Sequence, residues 1–357
     1  MSKSIVYFQE VKNGKDVLQV KSKFKNLIKK SALCDVFTKG EIVPIKTHMG
    51  EKGNTGHVSP KIVKALVDKL KSKAAKPFVT DTNVLYHGLR ANTVDHLMLA
   101  HEHGFDIKSL GCPVVIADGL LGENAENVII NKKHFDQANI ARLFLRLENF
   151  VSIAHVTGHM LTSFAASVKN VGMGCASRAG KLRQHSNIKP HIKKEKCVLC
   201  RQCVKVCPVS AIIEKEEKAF IQESVCIGCA DCIAACKFSA VAEDYGEDAK
   251  ILVEKMAEYA YATLLHIKKK AFYNFAINIT RNCDCLAKNE KSITADVGIF
   301  ASADPVACDK ASADMVIEKI KDDIFMKEWP NASNYMEQLS YASELGIGSL
   351  DYELVIV

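Results

Sequence analysis

A cysteine pattern that occurs twice constrains the fold of this chain more than any other feature. Each copy has the spacing C-x2-C-x2-C-x3-C. Three cysteines at this spacing hold one face of a [4Fe–4S] cubane, and the fourth reaches the neighbouring cluster. The sequence therefore predicts two [4Fe–4S] clusters. The expected ligands are Cys197, Cys200, Cys203 and Cys236 for one cluster, and Cys226, Cys229, Cys232 and Cys207 for the other.

Two other interpretations of the cysteine run stay open. A zinc ribbon is one, although zinc takes four ligands per ion and does not call for the repeated third spacing. In the other, the clusters only hold the fold together. Residues 188–245 resemble a bacterial-type two-cluster ferredoxin. The resemblance implies an α+β module that carries electrons between its two clusters.

Composition and charge narrow the classes of protein to consider. The start of the chain, MSKSIVYFQEV, lacks a signal-peptide pattern, so we expect a cytoplasmic protein whose fourteen cysteines serve metal or redox chemistry. No apolar run approaches the roughly 20 residues of a membrane span, and we expect no membrane contact. The net charge of +7 is offset in part by the negative clusters. Because no arginine-rich segment has interleaved aromatics, we expect no nucleic-acid partner.

The chain on either side of the cysteine run alternates β-rich and helix-periodic segments. This alternation predicts an α/β host with a mostly parallel sheet flanked by helices, interrupted by the ferredoxin-like insertion. The expected parts are host residues 1–187, the insertion 188–245 and host residues 246–357. The expected strands are 5–11, 42–47, 77–80, 113–117, 150–154, 272–280, 293–298 and 354–357. The expected helices are 59–73, 93–103 and 307–320.

Polar residues follow the apolar runs of the host five times. Ligands of open α/β sheets bind beyond the carboxyl ends of parallel strands, so we expect these residues to converge on one pocket. Any one of them alone is more often a cap or turn residue. The segments concerned are His48–Glu51, Asp81–Asn83, Asp118–Gly119, His155–His159 and Asn282–Cys285.

Cys283 and Cys285 form a second cysteine feature, separated only by Asp284. In an extended chain their α-carbons would lie about 6.6 Å apart, which favours shared metal binding over a disulfide. We therefore expect either a third metal or a redox-active thiol pair here, with Asp284 and His155 taking part and Cys175 or His48 close by. Two packed, inert cysteines are the alternative.

A glycine-rich segment beginning at Val171 is followed by Lys181 and Arg183. Glycines beside cations can hold an anion, but no complete phosphate-binding or dinucleotide motif is present. We expect Lys181, Arg183 and His48 to bind a small anionic substrate. Asp304 precedes Pro305, so a helix cap is the expected role of Asp304.

Several motifs together resemble a known family. They are VPIKTHMGEKGNTGHVSP, VIADGLLG, SIAHVTGH, KNVGMGCASRAGK, NITRNCDC and ASADPVACD. Around a two-cluster insertion they resemble the domain-of-unknown-function 362 family, in its ferredoxin-bearing branch, from about residue 4 to about 345. The resemblance implies an iron–sulfur protein of anaerobic bacteria and archaea, without a known reaction.

The functional hypothesis is an iron–sulfur oxidoreductase or electron-transfer protein. Electrons would pass from a redox partner such as ferredoxin or flavodoxin, through the two clusters, to the pocket at the strand ends. A second hypothesis is a protein that assembles or delivers a metal or cluster through the pair Cys283 and Cys285. A redox sensor is a third. Nothing in the sequence indicates an oligomeric state.

Overall fold

The computed structural model describes residues 3–185, 189–242 and 248–357. In these ranges it has sixteen strands and twelve helices. The strands are β1 Ser4–Glu10, β2 Ile42–Thr47, β3 Lys76–Asp81, β4 Val114–Ile116, β5 Ala125–Ile129, β6 Gln137–Ala141, β7 Asn149–His155, β8 Thr157–His159, β9 Ser163–Ala165, β10 His191–Ile192, β11 Ile212–Lys215, β12 Lys218–Ile221, β13 Val241–Ala242, β14 Lys269–Ala276, β15 Gly298–Ser302 and β16 Tyr352–Ile356. The helices are α1 Val17–Ser31, α2 Pro60–Ser72, α3 Thr93–Glu102, α4 Ile107–Leu110, α5 Ser167–Gly172, α6 Arg178–His185, α7 Gln202–Val206, α8 Asp231–Ala235, α9 Ala249–Leu264, α10 Pro305–Ile320, α11 Ile324–Glu328 and α12 Tyr335–Glu344.

Eight of the described strands form one sheet, in the order β16-β1-β15-β14-β7-β2-β3-β4. Five of its seven pairings are parallel, and β15 runs antiparallel to both β1 and β14. Two neighbouring residues of β14 show that helices cover both faces of the sheet. Phe272 joins an apolar core that includes α9 and α10, whereas Tyr273 joins one that includes α1 and α2. The expected α/β host with a mostly parallel, helix-flanked sheet is confirmed.

Two helix starts follow the local sequence chemistry. The Ser59 side chain accepts the N–H of Lys61, and Pro60 occupies the first helical position of α2. The Asp304 carboxylate accepts the N–H groups of Val306 and Ala307 at the start of α10, as expected for a helix cap. No helix in the described ranges has the length and apolar character needed to cross a membrane.

Two expected strands, 272–280 and 293–298, are placed wrongly, and both errors concern the stretch that follows β14. The strand stops at Ala276 instead of continuing to residue 280. Asn278 has a φ of 49°, a left-handed conformation that no extended strand contains. The next strand of the main sheet begins only at Gly298, and the Asp296 carboxylate before it accepts the N–H groups of Gly14 and Asn278.

The segment between α6 and α9 leaves the main sheet. Its described part contains two small antiparallel strand pairs, β10 with β13 and β11 with β12, and the short helices α7 and α8. The expected limits of the insertion, residues 188 and 245, lie outside the described residues. The eight cysteines of the repeated pattern all lie within this segment.

Candidate functional site

A cavity of about 550 Å³ lies at the carboxyl ends of β2, β3 and β7. The structure brings most of the expected strand-end residues to it. His48, Asp81, His155, His159 and the segment from Asn282 to Cys285 line its wall. Asn83 and Asp118 lie behind that wall, where Asp118 Oδ1 accepts the backbone and side-chain N–H groups of Asn83 at 2.9 and 3.0 Å. The convergence follows from the parallel direction of the three strands.

Cys283 and Cys285 are joined by a disulfide bond in the cavity wall. The expectation that metal chelation is easier than bridging is therefore wrong for this structure. The chain is not extended here: a turn closes where Leu286 N donates to Cys283 O, and the two α-carbons are 5.3 Å apart. As a bonded pair, the cysteines offer no thiolate to a third metal.

Gly158 allows the disulfide segment to approach the sheet closely. Its N–H donates to Thr280 O at 2.9 Å. A Cβ at this position would lie 2.3 Å from Arg281 O, a distance that no side chain could accept. A residue without a side chain is therefore required where β8 meets the stretch that leads to Cys283.

His155 and Asp284 form a buried ion pair beside the disulfide. Nδ1 of His155 donates to Asp284 Oδ2 at 3.0 Å, and Nε2 donates to Ile277 O at 2.9 Å. Burial opposes the charge on both groups, but their mutual attraction outweighs it, so the pKa of His155 is raised and that of Asp284 is lowered. Since both ring nitrogens are engaged, His155 positions Asp284 and has no free nitrogen for proton transfer.

A chain of buried charges supports the opposite side of the cavity. Lys46 Nζ lies 2.9 Å from Asp81 Oδ1, and Arg90 contacts both Asp81, at 3.6 Å, and Glu51, at 3.2 Å. Arg90 also donates to the hydroxyl of Tyr86, which in turn donates to Cys285 O at 3.0 Å. This network connects strand β3 to the disulfide segment, so the two sides of the cavity hold each other in place.

Two of the residues expected to bind an anion line the cavity, and one does not. His48 and Lys181 belong to the wall, where Lys181 Nζ donates to Thr82 Oγ1 at 2.6 Å and to Ala176 O at 2.7 Å. Burial lowers the pKa of Lys181 to about 8. Arg183 instead stacks on the ring of Phe135, 4.9 Å from its centroid, outside the residues that line the cavity. This position does not suit the role expected for Arg183.

Cys175 is not among the residues that line the cavity. It is fully buried in the apolar core beside α9, and burial raises the pKa of its thiol to about 12. A neutral thiol among aliphatic side chains acts as a small apolar residue. Cys175 therefore takes no part in the site.

The eight repeated cysteines lie in two groups. We call Cys197, Cys200, Cys203 and Cys236 the first cysteine set, and Cys207, Cys226, Cys229 and Cys232 the second cysteine set. Each set lines its own small cavity. Burial raises the pKa of Cys203, and the other three members of the first set raise it further. In the same way, the other members of the second set raise the pKa of Cys232. Cys203 of the first set also raises it, so the two sets adjoin.

The backbone around the two sets repeats with a spacing of 29 residues. Left-handed φ values occur at Leu199 and Gly228, at Arg201 and Ala230, and at Ser210 and Ser239. Backbone N–H groups also donate to equivalent sulfurs: Ala211 to Cys207 and Ala240 to Cys236, each at 3.2 Å. Two copies of one conformation thus carry the two halves of the sequence repeat.

Across the described chain, no group of three or more histidine, cysteine, aspartate or glutamate side chains converges closely enough to hold a single metal ion. The sulfurs of each cysteine set line a space rather than meeting at one point.

The second cysteine set adjoins the wall of the main cavity through Arg178. This guanidinium is fully buried, and its pKa is lowered by burial while Asp118, Asp231, Glu123 and Cys229 oppose that effect. Asp118 is in turn the strongest charged neighbour of Lys181, which lines the cavity. Leu85 makes a second, apolar link, because it lines the cavity and belongs to an apolar cluster that contains cysteines of both sets.

Sequence reasoning missed several residues of the site. Lys46, Arg90, Tyr86 and Lys169 all line the cavity, but none belongs to a motif whose chemistry is known. Lys46 did carry a signal: a lysine inside the otherwise apolar strand Ile42–Thr47 must be paired when buried. The others lie in loops or in a helix of six residues, where sequence spacing does not indicate the direction of a side chain.

Comparison with known proteins gives a family and two similar structures. The model of the family described as domain of unknown function (DUF362) matches residues 43–314. The lactate racemase apoprotein from Thermoanaerobacterium thermosaccharolyticum is 15% identical with a TM-score of 0.39, over 91% of this chain and 57% of that one. A protein from Thermotoga maritima is 10% identical with a TM-score of 0.39, over 92% and 59%. The chain thus spans less than two thirds of either structure. No curated protein matches the sequence.

Proposed function

We propose that this chain, which belongs to the DUF362 family, is an iron–sulfur oxidoreductase that delivers electrons to a substrate cavity containing the Cys283–Cys285 disulfide. The observation that carries the proposal is the shared wall between the second cysteine set and the cavity. Arg178 and Asp118 link Cys229 of that set to Lys181 of the cavity wall. Leu85 lines the cavity and belongs to the apolar cluster that contains cysteines of both sets. A redox module that adjoins a cavity containing a reducible disulfide is in a position to transfer electrons to that disulfide.

The residues of the inserted segment fit two [4Fe–4S] clusters, one in each cysteine set. Each iron of a cubane takes one protein thiolate, so the four sulfurs surround the cluster at its corners and do not converge on one ion. Backbone N–H groups donate to Cys207 and Cys236, and such bonds stabilise the negative charge of ligated sulfur. With both clusters bound, the segment would act as a two-cluster ferredoxin-like module that transfers one electron at a time.

The disulfide is the acceptor at the cavity end. Two electrons and two protons would break its S–S bond and give the thiols of Cys283 and Cys285. Because Tyr86 donates to Cys285 O and Glu51 N donates to Asp284 O, the backbone of this segment stays fixed while the bond opens. The thiols would then return both electrons and both protons to an oxidised substrate and re-form the bond.

The electron donor in this proposal is a small one-electron carrier, such as a ferredoxin or flavodoxin. Cys200 of the first cysteine set is exposed, and Val198 beside it is 59% exposed. The second set is closer to the host because Arg178 contacts its surroundings. Electrons would therefore enter at the first set and leave through the second. A cytoplasmic location belongs to the same proposal, since thiols stay reduced there.

The alternative is a protein that delivers a metal or a cluster through Cys283 and Cys285. It requires two free thiolates at that pair, and the bonded form has none. Metal delivery would be favoured if protein reduced at this pair bound one extra metal ion and passed it to an apo-acceptor.

Anaerobic purification followed by iron analysis and electron paramagnetic resonance tests the proposal. We expect about eight irons per chain, two interacting reduced clusters, and reoxidation of the clusters as Cys283 and Cys285 become thiols. Protein that contains zinc instead of iron, or full reduction of the clusters with the disulfide unchanged, would contradict it.

A further inference from the structure

Three hydrogen-bond donor groups of the cavity wall have no acceptor within the described ranges. They belong to His48, which follows β2, to His159 at the end of β8, and to Lys169 in α5. All three residues line the cavity. None of them takes part in the ion pairs that support the two sides of the cavity.

The backbone fixes the tautomer of both histidines. His48 Nδ1 accepts the N–H of Gly50 at 3.0 Å, and His159 Nδ1 accepts the N–H groups of Leu161 and Thr162 at 3.3 Å. Burial lowers the pKa of both rings well below the usual value, so they are neutral. A neutral imidazole whose Nδ1 accepts must carry its proton on Nε2. Each ring therefore presents a fixed Nε2–H donor.

Lys169 supplies a positive charge close to both rings. Its charge contributes to lowering the pKa of His48 and of His159. Burial, with Lys46 and Arg90 adding repulsion, lowers the pKa of Lys169 to about 8, while Asp284 opposes the shift. The described structure shows no hydrogen bond or ion pair of Lys169 Nζ. The side chain is half-buried and lines the cavity, so its ammonium group is open to a ligand there. An unpaired charge beside apolar side chains is costly unless a ligand compensates it.

The other charges of the cavity wall are balanced. Asp81 and Glu51 together are paired with Lys46 and Arg90, and Asp284 is paired with His155. Lys181 is held by two oxygen acceptors and faces Asp118. The charge that remains for a ligand is therefore the positive charge of Lys169. The rest of the wall near it is apolar, and its residues include Met160, Leu161, Met173, Leu252 and Met256.

We propose that the cavity binds a small organic anion whose carboxylate or phosphate group is held by Lys169 Nζ and the Nε2–H groups of His48 and His159. The apolar side chains would contact the organic part of the ligand, and a cavity of about 550 Å³ has the size of a small-molecule site. The anion site rests on the proposed function in one respect: if that function is right, the bound anion is the substrate that the reduced cysteine pair acts on. Binding itself requires no electron transfer.

Calorimetric titration of the purified holoprotein tests the anion site, with hexanoate, hexyl phosphate and the neutral hexanamide as probes. We expect at least one of the two anions to bind about tenfold or more tightly than hexanamide, and K169M to lose that difference. K61M removes an exposed lysine of α2 and should bind as the wild type does. The preferred anion identifies the head group. Equal binding of the anions and hexanamide, or unchanged binding by K169M, would overturn the proposal.

The variant K169R covers the case in which K169M does not fold. It also tests whether the charge of residue 169 controls anion binding. As pH rises from 7 to 9, a lysine with a pKa near 8 loses most of its charge, so anion binding should weaken about tenfold. K169R keeps its charge and should bind equally at both pH values. The groups that face Lys169 are Lys46, Arg90, Asp284, His48, His159 and His185. The same fall in K169R would assign the effect to one of them or to Lys181, whose pKa is also about 8, and would overturn the role of Lys169.

Discussion

His155 Nδ1 lies 3.0 Å from Asp284 Oδ2, and Asp284 is the residue between the two bonded cysteines. The ion pair therefore fixes the middle of the disulfide segment to the end of β7. Both side chains are about 5% exposed. A buried pair of this kind stabilises its surroundings only while both partners are charged.

The first prediction concerns the variant D284N. Removing one charge of a buried pair costs about 3 kcal/mol of unfolding free energy. The contribution of Asp284 is present above its unfolded pKa near 3.8 and is lost as pH falls through its lower folded pKa. That of His155 is present below 6.5 and is lost as pH rises through its higher folded pKa. The melting temperature should differ most from wild type between about pH 4 and 6.5.

The matched control for this measurement is D35N. Asp35 pairs with Lys69 and Lys73 at 2.9 Å, but it lies at the surface, where ion pairs contribute little. Thermal unfolding of both variants between pH 4 and pH 9 compares them. An equal loss of melting temperature in D284N and D35N, or a difference between D284N and wild type that does not change with pH, would show that the buried pair does not hold the segment.

The second prediction concerns the exchange of cysteines between the two halves of the repeat. C236S removes the last cysteine of the second half in sequence, which belongs to the first cysteine set in space. We expect C236S to disturb the same cluster signal as C200S, and C207S to disturb the same signal as C229S. Iron content and electron paramagnetic resonance check this grouping. If C236S and C229S instead affect the same signal, each half of the repeat binds its own cluster.

The third prediction concerns Arg178, whose positive charge lies near Cys229. Loss of this charge makes an added electron less favourable, so R178Q should lower the midpoint potential of one cluster by roughly 50 to 100 mV. R178K should stay close to the wild type. Potentiometric titration measures both clusters in each variant.

R183Q is the matched control for R178Q, because Arg183 is on the same helix but stacks on Phe135. Its cluster potentials should equal those of the wild type. Equal shifts of both clusters in R178Q, or the same shift in R183Q, would mean that Arg178 does not act selectively on the second cysteine set.

The fold and part of the site were predictable because they depend on patterns of neighbouring residues. Apolar runs that end in polar residues predicted the strand ends, and His48, Asp81 and His155 do line one cavity. The failures have a common cause. The left-handed Asn278 ends β14 early, and the turn after Cys283 brings two cysteines into bonding distance. Such local reversals depend on tertiary contacts, which residue spacing does not reveal.

Lys169 and Arg183 show the same limit for charged residues. Both are cations near a glycine-rich stretch, and only Arg183 was expected to bind an anion. The direction of each side chain is set by the packing of α5 and α6 against α9, so Lys169 lines the cavity and Arg183 covers Phe135. A single sequence holds no signal that separates the two.

The most direct test of electron delivery to the disulfide is differential alkylation of Cys283 and Cys285 after the clusters are reduced with a photochemical one-electron donor. Mass spectrometry counts the alkylated thiols, and the C229S variant reports any reduction that bypasses the second cysteine set. We expect both cysteines to become alkylated in the wild type, with two electrons consumed per disulfide, and to stay bonded in C229S. Clusters that remain reduced beside an intact disulfide, or equal alkylation in C229S, would contradict the proposed function.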